Sequence, residues 1–262
     1  MLSVGILTWN SPNTLRNTLT TYKETGLLNV SDDVFVVIQH SELQTEEQRV
    51  CNDFGLRSVL LPDNGRMGSG YKAIYENSKH EYLMLLENDW VIKTDSGSVN
   101  YFFTNAVDFL KNGYDVVRAR SRTKPGMPNA AVWWFRNCSP EDVVNMTYPV
   151  KGTEYLSESI YWEENPEIAF PNHITKIDSV IPPRTHGESW YTATSRNCNH
   201  TNNPCVYKKA FYRDAILPYC IFGKTIEDQL HDIWAQQDYK CVFGSGLFTH
   251  ERHDGFWRPS EY

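Results

Sequence analysis

EYLMLLENDWVI, residues 81–92, is the stretch whose reading decides the fold. Its first half, Tyr82 to Leu86, is apolar without alternation. That is the pattern of a strand buried on both faces, as in parallel sheets covered by helices. Backward along the chain the same unit repeats. A glycine-rich stretch, LPDNGRMGSGYKA (61–73), leads into a helix, YKAIYENSK, and follows a strand, RSVLLP. Before that stand a helix from Thr45 to Gly55 and a strand, VFVVIQH (34–40). The first strand, LSVGILTW (2–9), runs into Asn10-Ser11-Pro12-Asn13, which supplies turn and N-cap chemistry for a helix that Gly26 ends. The order β-α-β-α-β-α-β predicts an α/β fold with a mostly parallel central sheet, helices on both faces and right-handed crossovers. Ligands of such sheets bind beyond the carboxyl ends of the strands.

Forward from Trp90 the pattern is looser. Residues 99–113 read as a helix and 114–121 as a strand. Residues 122–206, rich in Pro, Asn, Trp and Tyr, show no clear period. A helix is predicted over 225–238, with Ile226, Leu230, Ile233 and Trp234 on one face, and a last strand over KCVFGSGLFTH (240–250).

Two carboxylates, Glu87 and Asp89, stand where the buried strand ends. An isolated buried charge is expensive, so such a pair is stable where it emerges at the sheet edge and meets a cation. Oxygen ligands suit Mg²⁺ or Mn²⁺, which also bind phosphate oxygens. A solvated acidic turn is the plainer alternative. The glycine stretch is neither of the phosphate loops it suggests. Tyr71, not Lys-Ser/Thr, follows Gly70, and the Gly68-x-Gly70-x-x-Ala73 spacing closes the third βα unit rather than the first. It reads as a tight turn in which glycines permit close backbone approach. The helix start there, with Arg66 and Lys72 beside it, would attract an anion.

Composition bounds the function. Lys and Arg number 25 against 32 Asp and Glu, a net charge of −7, so the basic footprint of nucleic-acid binding is missing. No stretch approaches the length of a membrane span and no signal peptide is visible, so the chain is expected to be soluble and cytoplasmic. The six cysteines are scattered without a CxxC pair and are expected as free buried thiols. Cys198 and Cys205 bracket His200, an incomplete ligand set. Aromatic residues make up 13% of the chain; Trp190-Tyr191, Trp133-Trp134 and Trp162 could equally stack on sugar faces or fill a core.

VGILTWN, NGRMGSG and LLENDW, in that order, resemble a GT-A glycosyltransferase of the inverting family 2 type. The resemblance covers residues 2–92 and returns at Gly223–Leu230 and Phe248–His250. It implies one GT-A domain over 1–262, with a nucleotide-sugar part (1–121) and an acceptor-binding and catalytic part (122–262). Residue by residue, it implies that Thr8, Trp9 and Asn10 touch the base and ribose. Asn64 and Arg66 would meet the nucleotide. Glu87 and Asn88 would face the ribose. Asp89 and His250 would hold Mn²⁺ or Mg²⁺, with His253 as the other candidate histidine. Asp228 matches the catalytic base, with Glu227 beside it. The sequence departs from the family at Gln39-His40-Ser41, where an acid usually reads the base, at Lys72, and at Glu87, one methylene longer than the usual Asp.

The implied reaction moves a sugar from a nucleoside-diphosphate sugar, a UDP-sugar foremost, to the hydroxyl of a glycan or other acceptor, with inversion. Two alternatives remain open. A sugar-1-phosphate nucleotidyltransferase would want an Arg-containing glycine loop after the first strand, where Thr8-Trp9-Asn10-Ser11-Pro12 stands. A non-catalytic carbohydrate-binding protein on the same fold would not need both Asp89 and Asp228.

Overall fold

The computed structural model describes residues 1–126, 156–161, 163–183 and 188–254. Trp133, Trp134, Trp162 and Cys138 lie outside the described residues.

The first four strands fall where the hydrophobic runs put them: β1 (Leu2–Thr8), β2 (Val34–Ile38), β3 (Arg57–Leu60) and β4 (Tyr82–Glu87). Every residue of β1 and β2 is buried, as central strands of a covered sheet require. The helices between them are α1 (Pro12–Thr25), α2 (Gln44–Asp53) and α3 (Arg66–Asn77). Pro12 opens α1, and Gly26 ends it in the left-handed conformation at φ 79°, returning its amide to the Lys23 carbonyl.

The glycine stretch differs in one respect from its sequence reading. The helix begins at Arg66, not Tyr71, so Gly68 and Gly70 sit inside it. Their role is close approach, as expected. A Cβ on Gly70 would stand 2.3 Å from Leu7 Cδ1, and one on Gly68 would stand 2.3 Å from the Ile221 carbonyl. These contacts outweigh the poor helix propensity of glycine.

Chain order continues with β5 (Trp90–Ile92), α4 (Ser96–Lys111), β6 (Val116–Arg120), β7 (Thr175–Ile177), β8 (Trp190–Thr194), β9 (Cys205–Lys208), α5 (Lys209–Ala215), α6 (Ile226–Trp234) and β10 (Lys240–His250), besides short helical turns. All ten strands share one sheet, in the order β3-β2-β1-β4-β9-β6-β10-β8-β7, with β5 paired to β10. Pairing is parallel from β3 through β4 and again between β6 and β10. Strand β9, which carries no period the sequence reading detects, inserts antiparallel between β4 and β6.

Two apolar layers cover the faces. Val4, Ile6 and Met84 look toward α1 and α4; Leu7, Leu83 and Leu85 look toward α3, α5 and α6. Trp190 and Tyr191 belong to these layers, one on each side, 1% and 2% exposed. This decides between their two sequence readings: both are core residues and no sugar platform. Trp190 packs on Phe102 and Phe109 and donates its Nε1–H to the Tyr101 hydroxyl at 2.9 Å.

Strand β10 carries the late histidine to the site through an irregularity. Its register with β6 shifts between Phe243 and Phe248, and Gly246 there has φ 68°. A Cβ on Gly246 would stand 2.0 Å from the Arg120 carbonyl. The bend releases Phe248–His250 to pair with β5, setting His250 opposite Trp90.

Candidate active site

The carboxyl ends of β1 and β4 lie side by side, with Leu7 opposite Glu87. From the β1 end, Thr8 points inward, 1% exposed, and its hydroxyl donates to Glu47 Oε1 at 2.5 Å. Asn88 donates its side-chain amide to the same hydroxyl at 2.8 Å, and its carbonyl accepts from Thr18. The Ser11 amide also donates to Glu47, at 3.1 Å. Thr8 and Asn88, two of the predicted nucleotide-contacting residues, are therefore buried supports beneath the β1–α1 loop. Glu47 was not foreseen. Its signal was present: a carboxylate on the apolar face of α2, three and four residues before buried Val50 and Cys51. Burial raises the pKa of Glu47, against the lowering effect of the Thr8 hydroxyl and the loop amides.

Above this network stand Trp9 and Asn10, both half-buried. Trp9 donates its Nε1–H to the His40 carbonyl at 3.2 Å. Asn10 is at φ 54° and Arg66 at φ 56°, the non-glycine residues with positive φ among those described. Backbone strain of this kind concentrates at functional sites, and both residues belong to the predicted nucleotide set. Asn64 and Arg66 are exposed at the start of α3, where the Asn64 side chain accepts the Arg66 amide at 3.0 Å. The first turn of α3 is partly used. Its Gly68 amide donates to the Lys224 carbonyl at 3.3 Å, and Lys72 pairs along the helix with Glu76 at 3.5 Å. The Gly68 amide is thus used within the fold, while Lys72 stays half exposed in a surface pair.

Asp89 is 3% exposed. Its Oδ2 lies 3.2 Å from His250 Nε2 and 3.4 Å from Arg252 Nη1, while Oδ1 is buried without a hydrogen-bond partner. The His250 ring leans on Trp90 at 4.8 Å. The structure thus joins Asp89 and His250, which lie 161 residues apart in sequence as 250 − 89. His253 instead faces Glu251, at 3.1 Å, on the outside of the segment after β10. Among the described residues no group of three His, Cys, Asp or Glu side chains is placed to hold a metal ion. His200 joins no such cluster. Its ring packs against Trp234, and burial pushes its pKa down to about 3.

Glu87 and Glu227 complete the acidic floor. The Tyr71 hydroxyl reaches Glu87 Oε1 at 3.4 Å. Burial, then the charges of Asp89 and Glu227, push Glu87 well above the usual carboxyl range. Glu227 enters from the start of α6. Much of its surface is open to solvent, but Oε1 turns inward to accept the Asn202 amide at 2.7 Å, and desolvation raises its pKa. Asp228 is held differently. It is exposed and accepts the Thr225 hydroxyl.

A pH dependence follows. A carboxyl whose pKa is raised on folding favours the native state below the usual carboxyl range, and this contribution is lost as pH rises through the folded value. Glu87→Gln is therefore expected to raise Tm at about pH 8 in chelator-treated buffer, with the gain shrinking toward about pH 5. Thermal unfolding across that range is the check, and a gain that stays constant with pH would contradict the assignment.

No family model matches the sequence, and no curated protein matches it. Solved structures do match. Residues 1–349 of TarS from S. aureus superpose with a TM-score of 0.51 at 14% identity, covering 95% of this chain and 60% of that one. The longer TarS structure gives 0.52 at 14% identity, over 95% of this chain and 36% of that one.

The chain has the GT-A fold.

It spans less than two thirds of either TarS structure. The glucosyl-3-phosphoglycerate synthase from Mycobacterium tuberculosis, solved with Mn²⁺, UDP and phosphoglyceric acid, matches at a TM-score of 0.48 and 10% identity, over 97% of this chain and 72% of that one. At such identities the likeness is one of fold alone. Ligands of open α/β sheets bind beyond the carboxyl ends of the strands. In this chain that place, the carboxyl edge of β1 and β4, is where Thr8, Asn88, Asp89 and Glu87 converge. Among the described residues no helix is long and apolar enough to cross a membrane.

Proposed function

We propose that the chain is a glycosyltransferase that takes a sugar from a nucleoside-diphosphate sugar, a UDP-sugar foremost, and passes it to an acceptor hydroxyl with inversion. One observation carries the reading: at the carboxyl edge of a GT-A sheet, buried Asp89 meets His250 with one carboxylate oxygen unpartnered, facing an acidic floor that Glu227 shares. Residues 1–121 supply the donor half, and 122–262 the acceptor half, of one domain.

Asp89 and His250 fit a Mn²⁺ or Mg²⁺ ion, because the orphaned Oδ1 is a hard ligand without another use and the His250 ring nitrogen stands beside it, the remaining ligands being left to diphosphate and water. Bound there, the ion would neutralise charge on the departing diphosphate. The chain's own residues do the rest. Trp9 and Asn10 line the base and ribose, held in place from below by Thr8, Asn88 and Glu47. Asn64 and Arg66 flank the nucleotide from the α3 side. We assign the general base to Glu227, which shares the floor and whose pKa is raised by desolvation above the ordinary carboxyl range. Asp228, matched to that role by resemblance, is exposed and accepts the Thr225 hydroxyl in the same turn. A base opposite the leaving group gives inversion.

The test is thermal unfolding with UDP-, GDP- and CDP-sugars, each with and without Mn²⁺, on wild type and Asp89→Ala. A ligand selective for the native state raises Tm by mass action, about 2.7 kcal/mol at a hundredfold excess over Kd. One nucleotide sugar is expected to stabilise the wild type in the presence of metal, and Asp89→Ala to lose the effect. If no nucleotide shifts the wild type, a non-catalytic carbohydrate-binding role takes precedence.

A further inference from the structure

Asp89 already carries a cation of the chain's own. Beyond β10 the segment Glu251–Asp254 folds back across the site edge. The Glu251 amide donates to the Asp89 carbonyl at 2.8 Å. Arg252 then spans the gap between the two strand ends. Its Nη1 faces Asp89 Oδ2 at 3.4 Å, its Nη2 donates to Ser11 Oγ at 2.8 Å, and its Nε donates to the Asp254 carbonyl at 2.7 Å. The Asp254 carboxylate ends the segment on the start of α1, accepting the amides of Asn13 at 2.9 Å and Thr14 at 3.0 Å. Residues 251–254 thereby fasten the β1–α1 loop, which carries Trp9 and Asn10, to the end of β4.

The grip of Arg252 on Asp89 is unlike that of a structural pair. A guanidinium holding a carboxylate for stability frequently makes two short parallel bonds, or at least one short one, as between Arg118 and Glu158 at 3.1 Å. Here there is one long contact, Oδ1 is left without a partner, and the Arg252 side chain is 17% exposed against 5% for Asp89. The buried charge is thus neutralised without being fully satisfied. A divalent ion on Asp89 would offer twice the charge and repel the guanidinium from the same oxygen.

We propose that Arg252 is a built-in counter-ion for Asp89 that a divalent cation displaces, so that metal binding unfastens Glu251–Asp254 from α1. This rests on the reading of Asp89 as a metal ligand. The metal-free site is then held closed and charge-balanced, and the donor loop is released when the ion arrives.

Calorimetric titration of Mn²⁺ into the full chain separates the two ideas. Arg252→Ala is expected to bind Mn²⁺ roughly fivefold or more tightly than wild type, because its competitor is gone. Arg252→Lys, which keeps a positive charge, should stay nearer the wild type, and Asp89→Asn should lose binding. A purely structural Arg252 predicts the opposite sign, since loosening the site weakens binding. If Asp89→Asn abolishes binding while Arg252→Ala binds no tighter than wild type, the metal site stands and the counter-ion proposal falls. If neither wild type nor Arg252→Ala binds Mn²⁺, the metal reading falls and takes the proposal with it. Hydrogen exchange on unsubstituted protein is the second measurement: peptides holding Asn13 and Thr14 should exchange faster with saturating Mn²⁺, and unchanged or slower exchange overturns the proposal.

Discussion

Glu227→Gln is expected to lower kcat for sugar transfer by about 10²–10⁴, the usual contribution of a general base, with little change in donor affinity. Asp228→Asn is expected to cost far less. The two side chains are neighbours in sequence at the start of α6, and they meet different partners. Glu227 Oε1 is held by the Asn202 amide, and its charge is felt by Glu87 and Tyr71 on the site floor. Asp228 accepts the Thr225 hydroxyl at the exposed helix start. The amide of Gln keeps the shape and can still meet Asn202 through its oxygen, so the loss reports proton transfer rather than collapse. The measurement is steady-state turnover of the nucleotide sugar found by thermal shift, for each variant. A larger loss in Asp228→Asn would return the base to the residue that family resemblance selects and would mean that α6 turns on substrate binding.

Trp190→Ala is expected to destabilise the protein by about 3–5 kcal/mol, the range for emptying a large aromatic site in a core. For a domain of this size that lowers Tm by roughly 10 °C. The indole is 1% exposed, contacts Phe102 and Phe109, and donates to the Tyr101 hydroxyl. Gly244 lies against it so closely that a Cβ there would stand 2.5 Å from the ring, which shows how tightly this part of the core is filled. A second consequence is the loss of a partner for the Tyr101 hydroxyl. Thermal unfolding of the variant is the check. A Tm near that of the wild type would mean that the ring is not core, and would reopen its reading as a sugar platform.

In both cases local pattern left the role open; elsewhere it was enough. The buried runs over β1, β2 and β4, the Pro12 start and Gly26 stop of α1, and the apolar stripe of α6 at Ile226, Leu230 and Trp234 (Ile233, expected on that stripe, is exposed) were legible because each depends on neighbours within a few residues. So was the acidic strand end at Glu87–Asp89, since burial up to Leu86 leaves few places for a charge. Strands β7, β8 and β9 were not legible. They are three to five residues long, and they form because partners from distant segments supply their hydrogen bonds. The start of α3 was misplaced for the same reason: Gly68 and Gly70 look like turn residues until Leu7 and Ile221 are seen against them.

The candidate site divides likewise. By itself the sequence determined the residue types, an acidic β4 end, a late histidine, a paired Glu227-Asp228, and the parallel α/β frame that brings strand ends to one edge. Only the tertiary structure decided where each stands and what it touches. It put Thr8 and Asn88 below the site with Glu47, brought His250 and Arg252 onto Asp89, and separated Glu227 from Asp228. The physical reason is range. Secondary structure follows from periodicity over a turn or a strand, whereas the charge state and exposure of a side chain follow from desolvation and from charges that the fold carries in from far along the chain.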